Sequence, residues 1–189
     1  MFLINDILAL LAANLIFSQA LGTSTLFVAA GSRKDLVRTT AVITFFTSAG
    51  SLGAYLTDKL IPSSAYAYAS LIGYTIVISV LYALFLVLVY FSGKKRFETY
   101  RKYIHISAFN CAVMGTLFTV SGRLRETGAS VSEYLFGGIE AGAGFVVAAF
   151  FLVMAYRKLN SENVPESFRG FPSMLVYLGI ISMALYALK

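Results

Sequence analysis

Six long apolar runs, separated by short polar stretches, dominate the pattern of this chain. The runs cover about residues 3–30, 40–56, 69–91, 103–120, 134–156 and 173–188. A helix that crosses a bilayer needs about 20 consecutive apolar residues. Strands of a membrane barrel are shorter and alternate apolar with polar positions. The pattern therefore predicts an all-α integral membrane protein with six transmembrane helices.

Composition supports this class and excludes others. Of the 189 residues, 58% are hydrophobic and 13% are charged, whereas soluble domains carry about 25% charged residues. So few charges cannot cover a soluble surface. A secreted domain, a soluble enzyme and a nucleic-acid-binding module are excluded, although the net charge is +6.

The basic residues predict the orientation. Eleven of the fifteen Lys and Arg residues lie in the first, third and fifth loops between the runs. They are Arg33, Lys34, Arg38, Lys94, Lys95, Arg96, Arg101, Lys102, Arg157, Lys158 and Arg169. Loops rich in Lys and Arg stay on the cytoplasmic side. We therefore expect both termini outside a bacterial or archaeal cytoplasmic membrane.

Two runs depart from a simple span. The first, at about 28 residues, would extend roughly 42 Å as a straight helix, beyond a hydrocarbon core of about 30 Å. It contains Gly22-Thr23-Ser24-Thr25, residues of poor helix propensity. These features predict a broken or re-entrant helix there, a long tilted helix being the alternative. The fourth run is short and has Asn110 and Gly115 at its middle, so a broken or re-entrant helix is expected there as well.

Runs one and four occupy matching places in the two halves of the chain. Each contains a central Asn and Gly, Asn14 with Gly22 and Asn110 with Gly115. An odd number of spans in each half requires the second half to be inserted upside down. We therefore expect one membrane domain, residues 1–189, built as an inverted 3+3 repeat of residues 1–92 and 93–189.

Two intramembrane residues are candidates for chemistry. Cys111 is the single cysteine, and it is either a small buried packing residue or a metal ligand. Glu140 follows the start of the fifth run among glycines. A carboxylate within a span favours an ion or proton path, the alternative being a hydrogen-bonded structural residue near the interface.

Three motifs carry a resemblance to a known family. They are Asn110-Cys111-Ala112-Val113-Met114-Gly115, the stretch Val164 to Gly170 (VPESFRG), and Asn14 to Gly22 followed by Ser32-Arg33-Lys34. The chain resembles the six-helix membrane subunits shared by the Rnf complex and the sodium-translocating NADH:quinone reductase. It is most similar to the A subunits of the former and the E subunits of the latter.

The resemblance implies a function. Such subunits pair with a sister subunit of opposite orientation and share an iron centre, a [2Fe-2S] cluster or iron, which relays electrons across the bilayer. Flavin-carrying and ferredoxin-like subunits complete these ion-translocating oxidoreductases, which move Na⁺ or H⁺. By the same resemblance Cys111 is a ligand of the centre and Asn110 lies beside it. Independently of the resemblance, Glu140 as an intramembrane carboxylate and Asn14 in the interrupted first run are candidates for the ion path.

The chain departs from the family at one ligand. The first-span cysteine of the family corresponds to Ser24, with Thr25 next to it, and hydroxyls are poor ligands for iron–sulfur clusters. A partner supplies the missing ligand, or the centre has another composition, or the chain is a redox-inert paralogue that acts as an ion or solute transporter or as a scaffold.

Overall fold

The computed structural model describes residues 14–29, 32–62, 65–162 and 164–187, and all regular structure within them is helical. The α-helices are α1 (Leu15–Gln19), α2 (Thr23–Ala29), α3 (Arg33–Leu60), α4 (Tyr66–Phe91), α5 (Lys94–Ala108), α6 (Cys111–Leu124), α7 (Val131–Leu159) and α8 (Phe171–Tyr186). A short 3₁₀ turn, Glu166–Phe168, precedes α8. The predicted all-α class is confirmed. Residues 3–13 of the first predicted span lie outside the described residues.

Within these residues two helices are long and apolar enough to cross a membrane. They contain the stretches 68–91 of α4 and 131–156 of α7. The pair α5 and α6, bent by 49° at a short break, gives a third crossing if it forms one span. Helix α8 is apolar and shorter, at 16 residues. These helices agree with a membrane protein, and the count of six spans stays a prediction.

Helix α3 lies at the centre of the bundle and packs against α4, α5, α6 and α7. Its side chains Ile43 and Phe46 are fully buried in the core. Its many Ser and Thr hydroxyls bond to carbonyls of the same helix, as Ser51 does to Thr47 at 2.8 Å. Because protein covers α3 on several sides and its hydroxyls are satisfied internally, it does not need the apolar surface of a lipid-facing helix.

Helices α3 and α7 approach each other through two glycines of α7. A Cβ atom on Gly138 would lie 2.6 Å from the Thr47 carbonyl oxygen, and one on Gly142 would lie 2.6 Å from Thr44 Cγ2. Gly138 and Gly142 are four residues apart and so face the same side of α7. Their spacing is the small-xxx-small pattern of close membrane helix packing, and the structure shows that contact.

Contacts between helix ends show which loops share an end of the bundle. At the start of α3, the Arg38 guanidinium lies 5.7 Å from the centre of the Tyr103 ring of α5. At the end of α3, Asp58 accepts a hydrogen bond from Tyr134, near the start of α7. The first and third basic loops therefore lie at the same end, as the orientation prediction requires. The compartment which that end faces stays a prediction.

The glycine contact gives a stability prediction. Gly138→Ala is expected to lower the free energy of unfolding by about 1–3 kcal/mol. Overlap with the α3 backbone outweighs the roughly 0.5–1 kcal/mol that alanine gains over glycine within a helix. The matched control is Gly179→Ala in α8, where an added Cβ meets nothing within 4 Å. Thermal unfolding in detergent, followed by circular dichroism, measures both, and equal stability of the two variants would contradict the packing.

Candidate functional site

The first predicted span is interrupted at residues 20–22. Helix α1 ends at Gln19, Ala20 and Gly22 take positive φ values of 56° and 81°, and α2 begins at Thr23. The predicted interruption is therefore confirmed, but its position is corrected. Thr23, Ser24 and Thr25 form the first turn of α2 instead of the break, because glycine adopts positive φ at no steric cost.

The fourth predicted span is interrupted as well. Helix α5 ends at Ala108, and α6 begins at Cys111 after Phe109 and Asn110. The Asn110 side-chain oxygen accepts a hydrogen bond of 2.9 Å from the backbone N–H of Ala112. Asparagine is a favoured residue at this position because it satisfies an N–H group that the helix start leaves free.

Asn14 has the same role in the first span as Asn110 in the fourth. Its side-chain oxygen accepts a hydrogen bond of 2.9 Å from the backbone N–H of Ile16, at the start of α1. Its amide nitrogen donates to the carbonyl of Gly144 in α7. Both asparagines are buried, at 6% and 5% exposure. The sequence paired these residues by position, and the structure gives them the same local geometry.

The two interruptions contact each other. The backbone N–H of Gly22 points at the Cys111 sulfur, with the nitrogen 3.1 Å from Sγ. A Cβ atom on Gly22 would lie 2.9 Å from the Cβ of Ala112 and 2.9 Å from the Phe145 ring. Only glycine combines the positive φ with this close approach. The Leu21–Gly22 turn is therefore seated on the first turn of α6.

Cys111 is exposed at this contact. The sequence left open a small packing residue or a metal ligand, and on this chain the thiol is open to its surroundings. Its sulfur lies at the N-terminus of the 14-residue helix α6 and accepts the hydrogen bond from Gly22. The thiol is thus accompanied by a backbone hydrogen-bond donor, as the ligands of metal sites commonly are.

The other candidate ligands and the residues that precede Cys111 differ in their exposure. Ser24 is exposed, whereas Thr25 is buried at 8% exposure. The amide nitrogen of Asn110 and the hydroxyl of Ser107 are buried without a hydrogen-bond partner among the described residues. No group of three or more His, Cys, Asp or Glu side chains within those residues is placed to hold a metal ion. The part of the chain that the structure describes therefore offers one thiol to a metal, not a complete ligand set.

Asn14 and Glu140 line a common cavity of about 440 Å³ between α1, α6, α7 and α8. A carboxylate oxygen of Glu140 lies 3.9 Å from a guanidinium nitrogen of Arg123, and both side chains are about half exposed. Gln19 and Thr119 add further polar groups to the lining. The structure thus places the two predicted ion-path residues in the wall of one cavity.

Sequence reasoning missed one cluster of polar side chains. Asp58, at the end of α3, accepts hydrogen bonds from Tyr74, Ser121 and Tyr134 on three other helices. The signal in the sequence was an acidic residue at the end of an apolar run. Its partners are far away along the chain, so their convergence could not be read from spacing.

These features define a class: a helical membrane protein with two interrupted helices that meet at an outward-facing cysteine. The chain matches the family described as Rnf-Nqr subunit, membrane protein, over residues 4–189. The chain therefore belongs to the Rnf-Nqr family, and the resemblance inferred from its motifs is confirmed. It is similar to the A subunit of the Na⁺-translocating ferredoxin:NAD⁺ oxidoreductase complex of Acetobacterium woodii. The two chains are 22% identical over 178 residues, 93% of this chain and 90% of the relative.

The two asparagine caps give a prediction for the site. Asn110→Ala is expected to lower the free energy of unfolding by about 1 kcal/mol, because it removes the side-chain acceptor at the start of α6. Asn14→Ala is expected to lower it further, since the same side chain also bonds to α7. The matched control is Asn160→Ala, at an exposed residue that follows α7. Thermal unfolding in detergent measures the stability of all three variants. Asn14→Ala and Asn110→Ala proteins as stable as Asn160→Ala would contradict the capping role of the two asparagines.

Proposed function

We propose that this chain is a membrane subunit of a redox-driven, ion-translocating complex of the Rnf type, and that Cys111 is its contribution to electron transfer across the bilayer. One observation carries the proposal. The interruptions of the first and fourth predicted spans meet at Cys111, whose side chain is exposed and so open to a partner. Membrane membership follows from the family, and the electron-relay role is our inference.

The donor set fits a centre shared between chains. One thiol at a helix start, with an N–H donor 3.1 Å from its sulfur, suits one ligand of an iron–sulfur cluster or iron site. Since this chain has no second cysteine, the other sulfur ligands come from a partner. Such a centre, when bound, supplies one-electron transfer. The part of this chain is to hold Cys111, through the Asn110 cap and the Leu21–Gly22 turn.

We propose a six-helix inverted repeat as the scaffold. In support, Asn14 and Asn110 cap the helices α1 and α6 in the same way. The side-chain oxygen of each asparagine accepts a hydrogen bond from the backbone N–H two residues later. A sister subunit of opposite orientation would continue this symmetry and cover Cys111. Flavin-carrying and ferredoxin-like subunits would deliver and accept the electrons, and both termini would lie outside.

The cavity shared by Asn14 and Glu140 supports an ion path beside the electron path. Its wall includes Gln19, the last residue of α1 before the interruption of the first predicted span. A change in the seating of that interruption would therefore reach the cavity directly. We propose that Glu140 attracts the translocated cation, Na⁺ or H⁺, and that Arg123 balances its charge when no cation is there.

A second candidate function rests on Ser24. Because a hydroxyl stands where the family has its first-span cysteine, the chain could be a redox-inert paralogue that moves an ion or solute through the cavity, or a scaffold. Under this hypothesis Cys111 is dispensable for electron transfer. Glu140 is required for transport if the chain is a transporter, and it is dispensable if the chain is a scaffold.

Cys111→Ser tests the electron-relay role. In the native complex, the variant is expected to lose iron and one low-temperature EPR signal, and to slow electron transfer across the membrane by more than about tenfold. Changes beyond the ligand shell alone cost 10–100-fold in metal affinity, and this change removes a ligand itself. Ser24→Ala is the control and is expected to keep iron, signal and rate. A Cys111→Ser complex with unchanged iron and rate would establish the redox-inert function instead.

Glu140→Gln tests the ion path. The variant is expected to slow Na⁺ or H⁺ uptake into proteoliposomes several-fold while the protein stays folded. Its ion pair with Arg123 is half exposed, and such pairs contribute only about 0–1 kcal/mol to stability. Glu98→Gln, an exposed carboxylate on α5, is the matched control. Equal uptake by the two variants would exclude Glu140 from the path.

A further inference from the structure

A second polar cluster lies away from Cys111 and from the cavity, where α3 ends. Asp58 of α3 meets the hydroxyls of Tyr74 from α4, Ser121 from α6 and Tyr134 from α7, and the Tyr66 hydroxyl of α4 contacts those of Tyr74 and Ser121. Tyr74, Ser121 and Tyr134 are almost fully buried, and Asp58 is partly exposed. The cluster thus joins four helices around one carboxylate with access to its surroundings.

The oxygens of this cluster are close together. Tyr74 lies 2.6 Å from one Asp58 oxygen, and Tyr134 lies 2.9 Å from the other, which Ser121 also contacts. Among the hydroxyls, Tyr74 and Tyr66 lie 2.6 Å and 2.7 Å from Ser121, and 3.0 Å from each other.

The hydroxyls bring too few protons for these contacts. Six pairs of oxygens lie within hydrogen-bonding distance, and the four hydroxyls supply one proton each. A proton between every pair is therefore impossible while Asp58 is ionised. Two oxygens at such a distance with no proton between them repel each other. One added positive charge, on the carboxyl group or among the oxygens, relieves that repulsion.

No basic side chain of the described residues supplies this charge through an ion pair with Asp58. The guanidinium of Arg125 lies 3.7 Å from the centre of the Tyr66 ring and donates to the carbonyl of Ile61. The neighbouring Lys59 has its ammonium over the Tyr55 ring, at 4.8 Å. Both cations are directed to aromatic rings, so among the described residues the charge of Asp58 has no partner of opposite sign.

We propose that the Asp58 cluster is a binding site for one exchangeable monovalent cation, a proton or Na⁺. Carboxylate and hydroxyl oxygens are hard ligands of the kind that hard cations prefer. A single carboxylate neutralises one positive charge, and a divalent ion would leave a net charge inside the bundle. A proton on Asp58 raises the number of protons from four to five for the six contacts and so fits the present spacing better than the ionised carboxylate does, whereas Na⁺ requires the oxygens to separate.

This inference does not rest on the electron-relay role of Cys111. The site uses residues of this chain alone, and its occupancy can be measured on the full-length chain in detergent without electron transfer. A chain that binds the cation at Asp58 but relays no electrons would be distinguished from one that relays electrons but binds no cation at Asp58, because the two properties are measured separately. The titratable groups around Asp58 are Tyr66 and Tyr74 on α4 and Tyr134 on α7. The cations nearest to it at these helix ends are Lys59 and Arg125.

Infrared difference spectroscopy of the full-length chain tests the site. The wild type is expected to show a band of a protonated carboxyl group that disappears on a rise in pH, which identifies a proton site. If the band also disappears when NaCl replaces choline chloride at constant pH, Na⁺ exchanges with the proton. Asp58→Asn is expected to lack this band. Asp35→Asn is the matched control, because Asp35 lies at the other end of α3 and has Tyr103 as its hydroxyl donor; it is expected to keep the band.

Tyr134→Phe keeps the test decisive if Asp58→Asn fails to fold. This variant retains the carboxylate and removes one hydroxyl that bonds to it. Loss of a hydrogen bond to the charged carboxylate is expected to shift the pH titration of the carboxyl band, so that its midpoint lies at an about tenfold lower proton concentration. No Asp58-dependent response to pH or Na⁺, or a Tyr134→Phe midpoint equal to that of the wild type, would overturn the proposal.

Discussion

The structure depends on one constraint: a helix that breaks within a bilayer must satisfy the backbone groups that the break sets free. Here two breaks are stabilised together. Asn110 caps the helix that begins at the second break, Asn14 caps α1, which ends at the first break, and the N–H of Gly22 donates to the Cys111 sulfur across the contact. The same contacts that make the breaks possible also hold the single thiol of the chain at the start of α6.

The remaining helices hold this contact in place. Helix α3 is covered by its neighbours and carries its hydroxyls inward, so that α7 can approach it through Gly138 and Gly142. Helix α7 in turn supplies the Gly144 carbonyl that binds Asn14 and the Glu140 side chain that lines the cavity. One helix therefore connects the close packing of the bundle, the start of α1 and the proposed ion path.

Local features were predictable from the sequence, and long-range features were not. Long apolar runs predicted the helices, and Gly22 together with Asn110 predicted both breaks. The first break lies at residues 20–22, before the threonines, since backbone conformation outweighs helix propensity at a turn. Motifs identified the family, whereas spacing could not show that Cys111 is exposed. Nor could it bring Asp58 to Tyr74 and Tyr134, which come from other helices.

The central claim is that the Cys111 side chain is exposed on this chain and is covered by a partner subunit in the native complex. Because it is the only cysteine, its rate of alkylation by a membrane-permeant maleimide reports on this site alone. The account predicts rapid labelling of the full-length chain purified in detergent and strong protection in the native complex. A thiol that is unreactive in the isolated chain, or equally reactive in both, would contradict it.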